Sequence, residues 1–260
     1  MYLRHCNAYG VYFHLLANAP ETLQLMVETV PFGTVFHDSP VASSKAFSLP
    51  SHAVRELVPS SSNYSAFLQR SLKHLERKLL LYVGMHSKQF LFLHCGVVAW
   101  GRGALLFPGP SGAGKTTLVT ELLRRGAAYY SDDYALIDAD GRVHPFSRDL
   151  RVRQPGCAEQ VRVAPTELGD RVGSAPIAAR IIVLTRFRAD AIWQPHRLTP
   201  GNAVLTLMQH ALPTRNRPGE VMRTLGALVA SAETYESDRG EASVVAEHLL
   251  HSSASGKLLP

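Results

Sequence analysis

Cysteine is scarce in this chain: Cys6, Cys95 and Cys157 are the only three in 260 residues, and no CxxC pair occurs. So odd and sparse a set argues against a disulfide framework and for a reducing compartment. The histidines lack zinc-ligand spacing, so a structural metal is not expected. No run of five or more Lys/Arg appears and the charges are scattered, so the formal net charge of +6 gives no footprint for nucleic acid. Long apolar runs are missing too. Leu79 to Trp100 is interrupted by His86-Ser87-Lys88-Gln89 and by His94, which breaks any transmembrane reading. The N-terminus lacks a basic region followed by an apolar core, so no signal peptide is expected. A soluble cytoplasmic protein follows, with one large domain or two modest ones. Arginine far outnumbers lysine, a bias that suits phosphate recognition but can also reflect genome composition.

What is present is concentrated at Gly109-Pro110-Ser111-Gly112-Ala113-Gly114-Lys115-Thr116, which reads G-x-x-x-x-G-K-T. The apolar stretch Ala104-Leu105-Leu106-Phe107 precedes it and suits a buried strand. Thr117-Leu118-Val119-Thr120-Glu121-Leu122-Leu123-Arg124-Arg125-Gly126 follows, with apolar residues at helical spacing, a basic last turn and a glycine stop. Strand, glycine-rich loop and helix form the context of a phosphate-binding loop. The glycines let backbone N–H groups converge on an anion, and the helix start adds partial positive charge. Gly109, Ser111, Gly112, Ala113, Gly114, Lys115, Thr116 and Thr117 are therefore the candidate phosphate-binding residues. In this motif Lys115 reaches the β- and γ-phosphates, and Thr116 supplies a hydroxyl to Mg²⁺.

Residues 1–60 read as β-structure with loops punctuated by Pro31, Pro40, Pro50 and Pro59, and Ser60-Ser61-Ser62-Asn63 as a loop able to cap a helix. From Ser65 to about Met85 the apolar residues Phe67, Leu68, Leu72, Leu75, Leu79 and Tyr82 fall on one side of a helix. Phe90–His94 and Val97–Trp100 are strand-like, and Gly101-Arg102-Gly103 turns the chain into the strand before the P-loop. That strand is thus one arm of a hairpin. After the P-loop helix, a short strand at Ala127–Tyr130 leads into Ser131-Asp132-Asp133. A second hairpin follows, with Tyr134–Asp138 and Arg142–Phe146 flanking Ala139-Asp140-Gly141. The expected fold is α/β of the α+β kind: a mixed, largely antiparallel sheet around a central P-loop, preceded by a β-rich N-terminal segment. Farther on, Arg180–Thr185 reads as a buried strand, Thr199–Leu212 as a helix with Pro200 in its first turn, and Glu220 to about Ala232 as a second helix. Val244–Leu250 reads as a short strand or helical turn, and Ser252–Pro260 as a disordered tail. The expected division is 1–88, 89–251 and 252–260.

Asp132 and Asp133 stand one helix and one strand beyond Lys115, where a carboxylate can reach a cation beside the P-loop threonine. Two adjacent carboxylates permit two roles, one organising Mg²⁺ and the other accepting a proton from an attacking hydroxyl. His94 ends a strand that the hairpin brings back alongside the P-loop strand.

From His94 to about Gly156 the chain resembles the catalytic core of HPr kinase/phosphorylase, the bacterial serine kinase related in fold to phosphoenolpyruvate carboxykinase. That family has a His ahead of a hairpin, a G-x-S-G-x-G-K-[ST] loop, a single helix, and an Asp-Asp after the next strand. The resemblance implies that Lys115 and Thr116 serve ATP and Mg²⁺, that His94 belongs to the catalytic set, and that Asp132 is the general base toward a serine hydroxyl with Asp133 assisting the metal. The division between the two aspartates stays open. The family's later Ile-Arg-Gly-Leu-Gly signature is reduced here to Val152-Arg153-Gln154-Pro155-Gly156, in which Arg153 is either an anion contact or a surface strand residue. Its cationic substrate loop has no clear match, Pro213-Thr214-Arg215-Asn216-Arg217-Pro218-Gly219 being the nearest substitute. The first ninety residues look more like the β-rich leader of smaller HPr-kinase-like proteins encoded beside biosynthetic genes, including kinases of ribosomal peptide precursors.

These matches and departures lead to an expected ATP- and Mg²⁺-dependent kinase. Its acceptor would be a serine on a peptide or small protein other than HPr. A non-catalytic ATP-binding partner module and a small-molecule or carboxykinase-like enzyme are the alternatives. Members of the family are typically hexameric, which leaves a homo-oligomer among the expectations; no nucleic-acid or membrane partner is expected.

Overall fold

The computed structural model describes residues 1–39, 45–49, 62–153 and 160–255. Pro40, Pro50 and Pro59, the Gln154-Pro155-Gly156 end of the later signature, Cys157 and the last five residues lie outside them. The chain divides into two compact units, Met1–Gln89 and Phe90–Pro260.

In the first unit, β1 (Tyr2–Ala8) and β2 (Val11–Ala17) form an antiparallel hairpin through Tyr9-Gly10. Both turn residues have positive φ, 52° and 78°, which suits the right-handed twist of the two strands. β3 (Val35–His37) adds antiparallel to β1 and β4 (Ala46–Ser48) parallel to β2, giving the order β3-β1-β2-β4. Strand β2 buries every second residue from Val11 to Ala17, the alternation of a sheet covered on one face. The expectation of β-structure and loops alone is corrected by helix α1 (Pro20–Val27). It starts on an extended Ala19 with Pro20 in the first turn, and it buries Thr22 and Met26. Helix α2 (Ser62–His86) begins three residues earlier than its apolar periodicity indicates.

The second unit is mixed α/β with a large, mostly antiparallel sheet. Strand β5 (Leu91–Trp100) runs unbroken through what reads as two segments, and it pairs antiparallel with β6 (Gly103–Pro108), which leads into the P-loop. Helix α3 (Lys115–Arg124) follows, then β7 (Ala128–Ser131), β8 (Tyr134–Ile137) and β9 (Arg142–His144). A separate two-stranded ribbon comprises β10 (Leu150–Arg153) and β11 (Gln160–Val163). The chain continues through α4 (Pro165–Leu168), β12 (Ile177–Phe187), β13 (His196–Arg197), α5 (Pro200–Met208), α6 (Pro218–Ala230), β14 (Glu233–Arg239) and α7 (Ala242–Ser255). The eight-stranded sheet has the order β13-β14-β12-β6-β5-β8-β9, with β7 also on β5 and β9 returning to β12. β6, β12 and β14 are parallel neighbours, so their C-terminal ends share one edge of the sheet.

Strand alternation sorts the apolar residues onto two faces. Leu93, Cys95, Val97 and Leu106 face a core with Leu207, Val221, Leu225 and Leu228 of α5 and α6. Val98, Leu105 and Phe107 face the other, with Leu118, Val119 and Leu122 of α3 and Val245, Ala246 and Leu249 of α7. Truncating one of these buried leucines to alanine costs about 2–5 kcal/mol. Helix α3 stops where its sequence indicates: Gly126 has φ 91°, and the amides of Gly126 and Ala127 donate to Leu123 and Leu122. Residues 244–250 are helical, within α7, so the strand alternative does not describe them; packing on α3 supplies the cause. The helix expected over Thr199–Leu212 is capped by Thr199 but ends at Met208. Beyond it, Ala211 bridges Leu93 and the Leu212 amide donates to Phe92.

The Asp-Gly hairpin is built around Asp138. Its Oδ1 accepts the amides of Asp140 (3.1 Å) and Arg142 (2.9 Å), while His144 Nε2–H donates to Oδ2 at 2.7 Å. Gly141 has φ 79°, and a Cβ there would stand 2.5 Å from the Leu228 amide nitrogen on α6. Burial raises the Asp138 carboxyl, but the bonds from His144, Arg142 and Asp140 outweigh it and leave it below the usual range. A depressed carboxylate stabilises the fold above its unfolded-state pKa and loses that contribution as pH falls through the folded value. Asp138→Ala is expected to cost about 1–2 kcal/mol at pH 7 and to converge with wild type in acid, measured by urea unfolding across pH. Among the described residues, no helix is long and apolar enough to cross a membrane.

Candidate functional site

The strand–loop–helix context of the P-loop is present: buried β6 delivers the chain to Gly109, and α3 begins at Lys115. Gly112 and Gly114 have φ of 87° and 85°, in the left-handed region where a side chain is strained. Gly114 is the N-cap and offers no side-chain oxygen to the first turn. The first-turn amides of a helix have no acceptor within it and are available to an anion. The loop is tied on three sides. The Gly109 amide donates to His94 O (3.3 Å), the Ala113 amide to Pro110 O (3.2 Å), and the Phe187 amide of β12 to Ala113 O (3.2 Å). Ser111 and Thr117 are exposed, whereas Ala113 is buried.

Lys115 Nζ donates to Gly109 O at 2.9 Å and Pro110 O at 3.0 Å, so its ammonium lies along the loop. Burial pulls this lysine below its ordinary range, against the opposing pull of the Asp132 and Asp133 carboxyls. Thr116 Oγ1–H donates to Asp132 Oδ2 at 2.9 Å. Asp132 Oδ1 is shielded from solvent and has no hydrogen-bond partner among the described residues. Burial pushes the Asp132 carboxyl up to about 7; the Thr116 bond and Lys115 oppose this, and Asp133 adds to it. A hydroxyl and a carboxylate with an unused buried oxygen form a donor set that suits a small hard cation. Mg²⁺ characteristically takes only one or two protein carboxylates and keeps water in its other positions.

Asp133 is half-exposed and looks the other way. Its Oδ1 lies 3.8 Å from His94 Nε2, and its Oδ2 lies 3.7 Å from a guanidinium nitrogen of Arg148. Burial, with the charges of Lys115 and then His210 adding to it, pushes His94 down to about 4, so the imidazole is neutral at pH 7. The His94–Asp133 contact is therefore not an ion pair at neutral pH, and at 3.8 Å it is too long for a direct hydrogen bond. The turn is held by the Cys95 amide on Asp133 O (3.1 Å) and by Ser131 Oγ–H on Tyr134 O (2.7 Å).

His94, Lys115, Thr116, Asp132 and Asp133 thus converge from β5, the P-loop and the β7–β8 turn. Arg153 does not join any contact described for this group; it is exposed on the β10–β11 ribbon opposite Gln160. In the candidate substrate loop, Arg215 is exposed and Arg217 pairs with Glu220 at 3.1 Å.

Three further residues belong to the neighbourhood and carry no sequence signal. Arg148 reaches Asp133 from beyond the second hairpin. His210 lies beside His94 through the bond from His94 N to His210 O at 2.9 Å, and burial with Lys115 lowers its imidazole. Arg239, at the end of β14, donates to Gly114 O at 2.7 Å. His210 and Arg239 arrive by tertiary pairing from segments distant in the chain, and Arg148 from just beyond the second hairpin. No family model matches this chain, and no curated protein matches it.

Proposed function

We propose that Phe90–Pro260 is an ATP-dependent kinase of the HPr kinase/phosphoenolpyruvate carboxykinase type that phosphorylates a serine hydroxyl of a peptide or small protein other than HPr. The observation that carries this reading is the pairing of two adjacent carboxylates with different partners at the mouth of a P-loop: Asp132 with the P-loop hydroxyl of Thr116, Asp133 with His94 and Arg148. One carboxylate faces the nucleotide side and the other the side open to an acceptor. Mg²⁺ bound with ATP would screen the phosphate charge. Thr116 and Asp132 would hold that ion, and Lys115 would leave the loop carbonyls for the phosphates. This reverses the division implied by the resemblance, because Asp132 bonds the P-loop threonine whereas the Asp133 side chain is half-exposed, where an incoming hydroxyl would reach it. Arg148, 3.7 Å from Oδ2, and His94, 3.8 Å from Oδ1, flank Asp133 on either side.

The full chain, incubated with γ-labelled ATP, Mg²⁺ and a degenerate serine-peptide library, is expected to transfer label to peptide. ADP is expected to bind by calorimetry. Absence of nucleotide binding would remove the whole reading. Binding without transfer to any serine peptide, small protein or metabolite would favour the second reading, an ATP-binding partner module. The exposed position of Arg153 on the ribbon, away from the contacts of the P-loop group, supports that alternative.

A further inference from the structure

Arg239 is among the largest fully buried side chains of the protein, 1% exposed, and it forms no ion pair among the described residues. One terminal nitrogen donates to Gly114 O at 2.7 Å, the other to Gly240 O at 2.9 Å, and Nε is buried without a partner. Its guanidinium lies over the Phe187 ring, 5.5 Å from the centroid. Phe187 and Arg239 are register partners on the parallel strands β12 and β14, so the stack is set by strand pairing. Both residues grip the P-loop: Phe187 through its amide on Ala113 O, Arg239 through its side chain on Gly114 O. A Cβ on Gly114 would collide with the Arg239 guanidinium where it now stands, so the arginine's close approach to the loop uses the space that this glycine leaves.

Holding the Gly114 carbonyl has a geometric consequence. The peptide is planar and trans, so fixing the Gly114 C=O toward Arg239 turns the Lys115 N–H to the opposite side. That side is the anion face of the loop. The same carbonyl already accepts the Leu118 amide at 3.2 Å, so the arginine adds a second, charge-assisted donor to the peptide that starts α3. A buried guanidinium with no ion pair and only the longer-range pull of Glu241 is an expensive way to fill space, and an apolar side chain would pack at lower cost.

We propose that Arg239 is a positioning residue for phosphate binding: it locks the Gly114–Lys115 peptide with its N–H facing the phosphates and places a second buried cation, after Lys115, behind the loop. This rests on the reading of Gly109–Thr116 as a phosphate site. The test uses the full chain with ADP and inorganic pyrophosphate, titrated calorimetrically well below the melting temperature of each variant. Arg239→Met is expected to weaken pyrophosphate binding by about tenfold or more, and Arg239→Lys, which keeps the charge without the planar fork, by less. Amide NMR shifts of Gly114 and Lys115 are expected to move in the ligand-free Arg239→Met protein. Should Arg239→Met fail to fold, the lysine variant alone decides, since it must fall measurably below wild type. Pyrophosphate affinity within about twofold of wild type in every folded variant overturns the proposal while leaving the phosphate site standing. Wild-type protein that binds neither ADP nor pyrophosphate removes both.

Discussion

Lys115→Met is expected to lower phosphoryl transfer by about a hundred- to a thousandfold while the protein stays folded. On the proposed function the lysine would stand against the phosphates, and a preorganised charge in a shielded site acts more strongly than the same charge in water. Its removal leaves the carbonyls of Gly109 and Pro110 without their 2.9 and 3.0 Å donors. That loss is offset by no longer burying an ammonium, so stability should stay within about 1–2 kcal/mol of wild type. Label transfer from ATP, read beside a thermal melt, checks both halves. A folded Lys115→Met protein with undiminished transfer would remove the P-loop from the reaction.

The second large effect separates the two aspartates. On the proposed function, Asp133→Asn is expected to lower kcat by about 10²- to 10⁴-fold with little change in the KM for ATP, because it would remove the proposed proton acceptor and leave the nucleotide side intact. Asp132→Asn is expected to raise the Mg²⁺ concentration needed for half-maximal activity by about tenfold or more, since an amide is a poorer ligand than a carboxylate. The exchanged pattern, with Asp132 controlling kcat and Asp133 controlling Mg²⁺ dependence, would restore the division implied by the family resemblance. Full activity in both variants would remove the pair from the mechanism.

Much of the site is legible along the chain because it is local. Gly109–Thr116 lies between a buried strand and an amphipathic helix, and Asp138–Gly141 is a turn whose residues satisfy their own backbone. Such features depend on neighbours a few residues away. Strand β14 was not legible. Its sequence, Glu233-Thr-Tyr-Glu-Ser-Asp-Arg239, is largely polar, yet it lies between β12 and β13 in the sheet. Its backbone is held by the ladders to β12 and β13, and Tyr235 bonds Glu233 at 2.8 Å, which hydrophobic patterning does not register. Helix α7 was ambiguous for a similar reason, since its apolar residues Val245, Ala246 and Leu249 gain their role only against α3.

The glycine-rich loop between strand and helix, the two hairpins around it and the acidic pair are written in the sequence alone, since each is encoded by glycines, turn residues and periodicity within a short window. Only the tertiary structure decided which aspartate bonds Thr116, that His94 is desolvated to neutrality, and that Arg148, His210 and Arg239 stand beside the loop. Those outcomes follow from the folding-together of separate elements, over more than a hundred residues for the Arg239–Gly114 and His94–His210 contacts, and from the burial that this creates. Neither is encoded in any local pattern of residues.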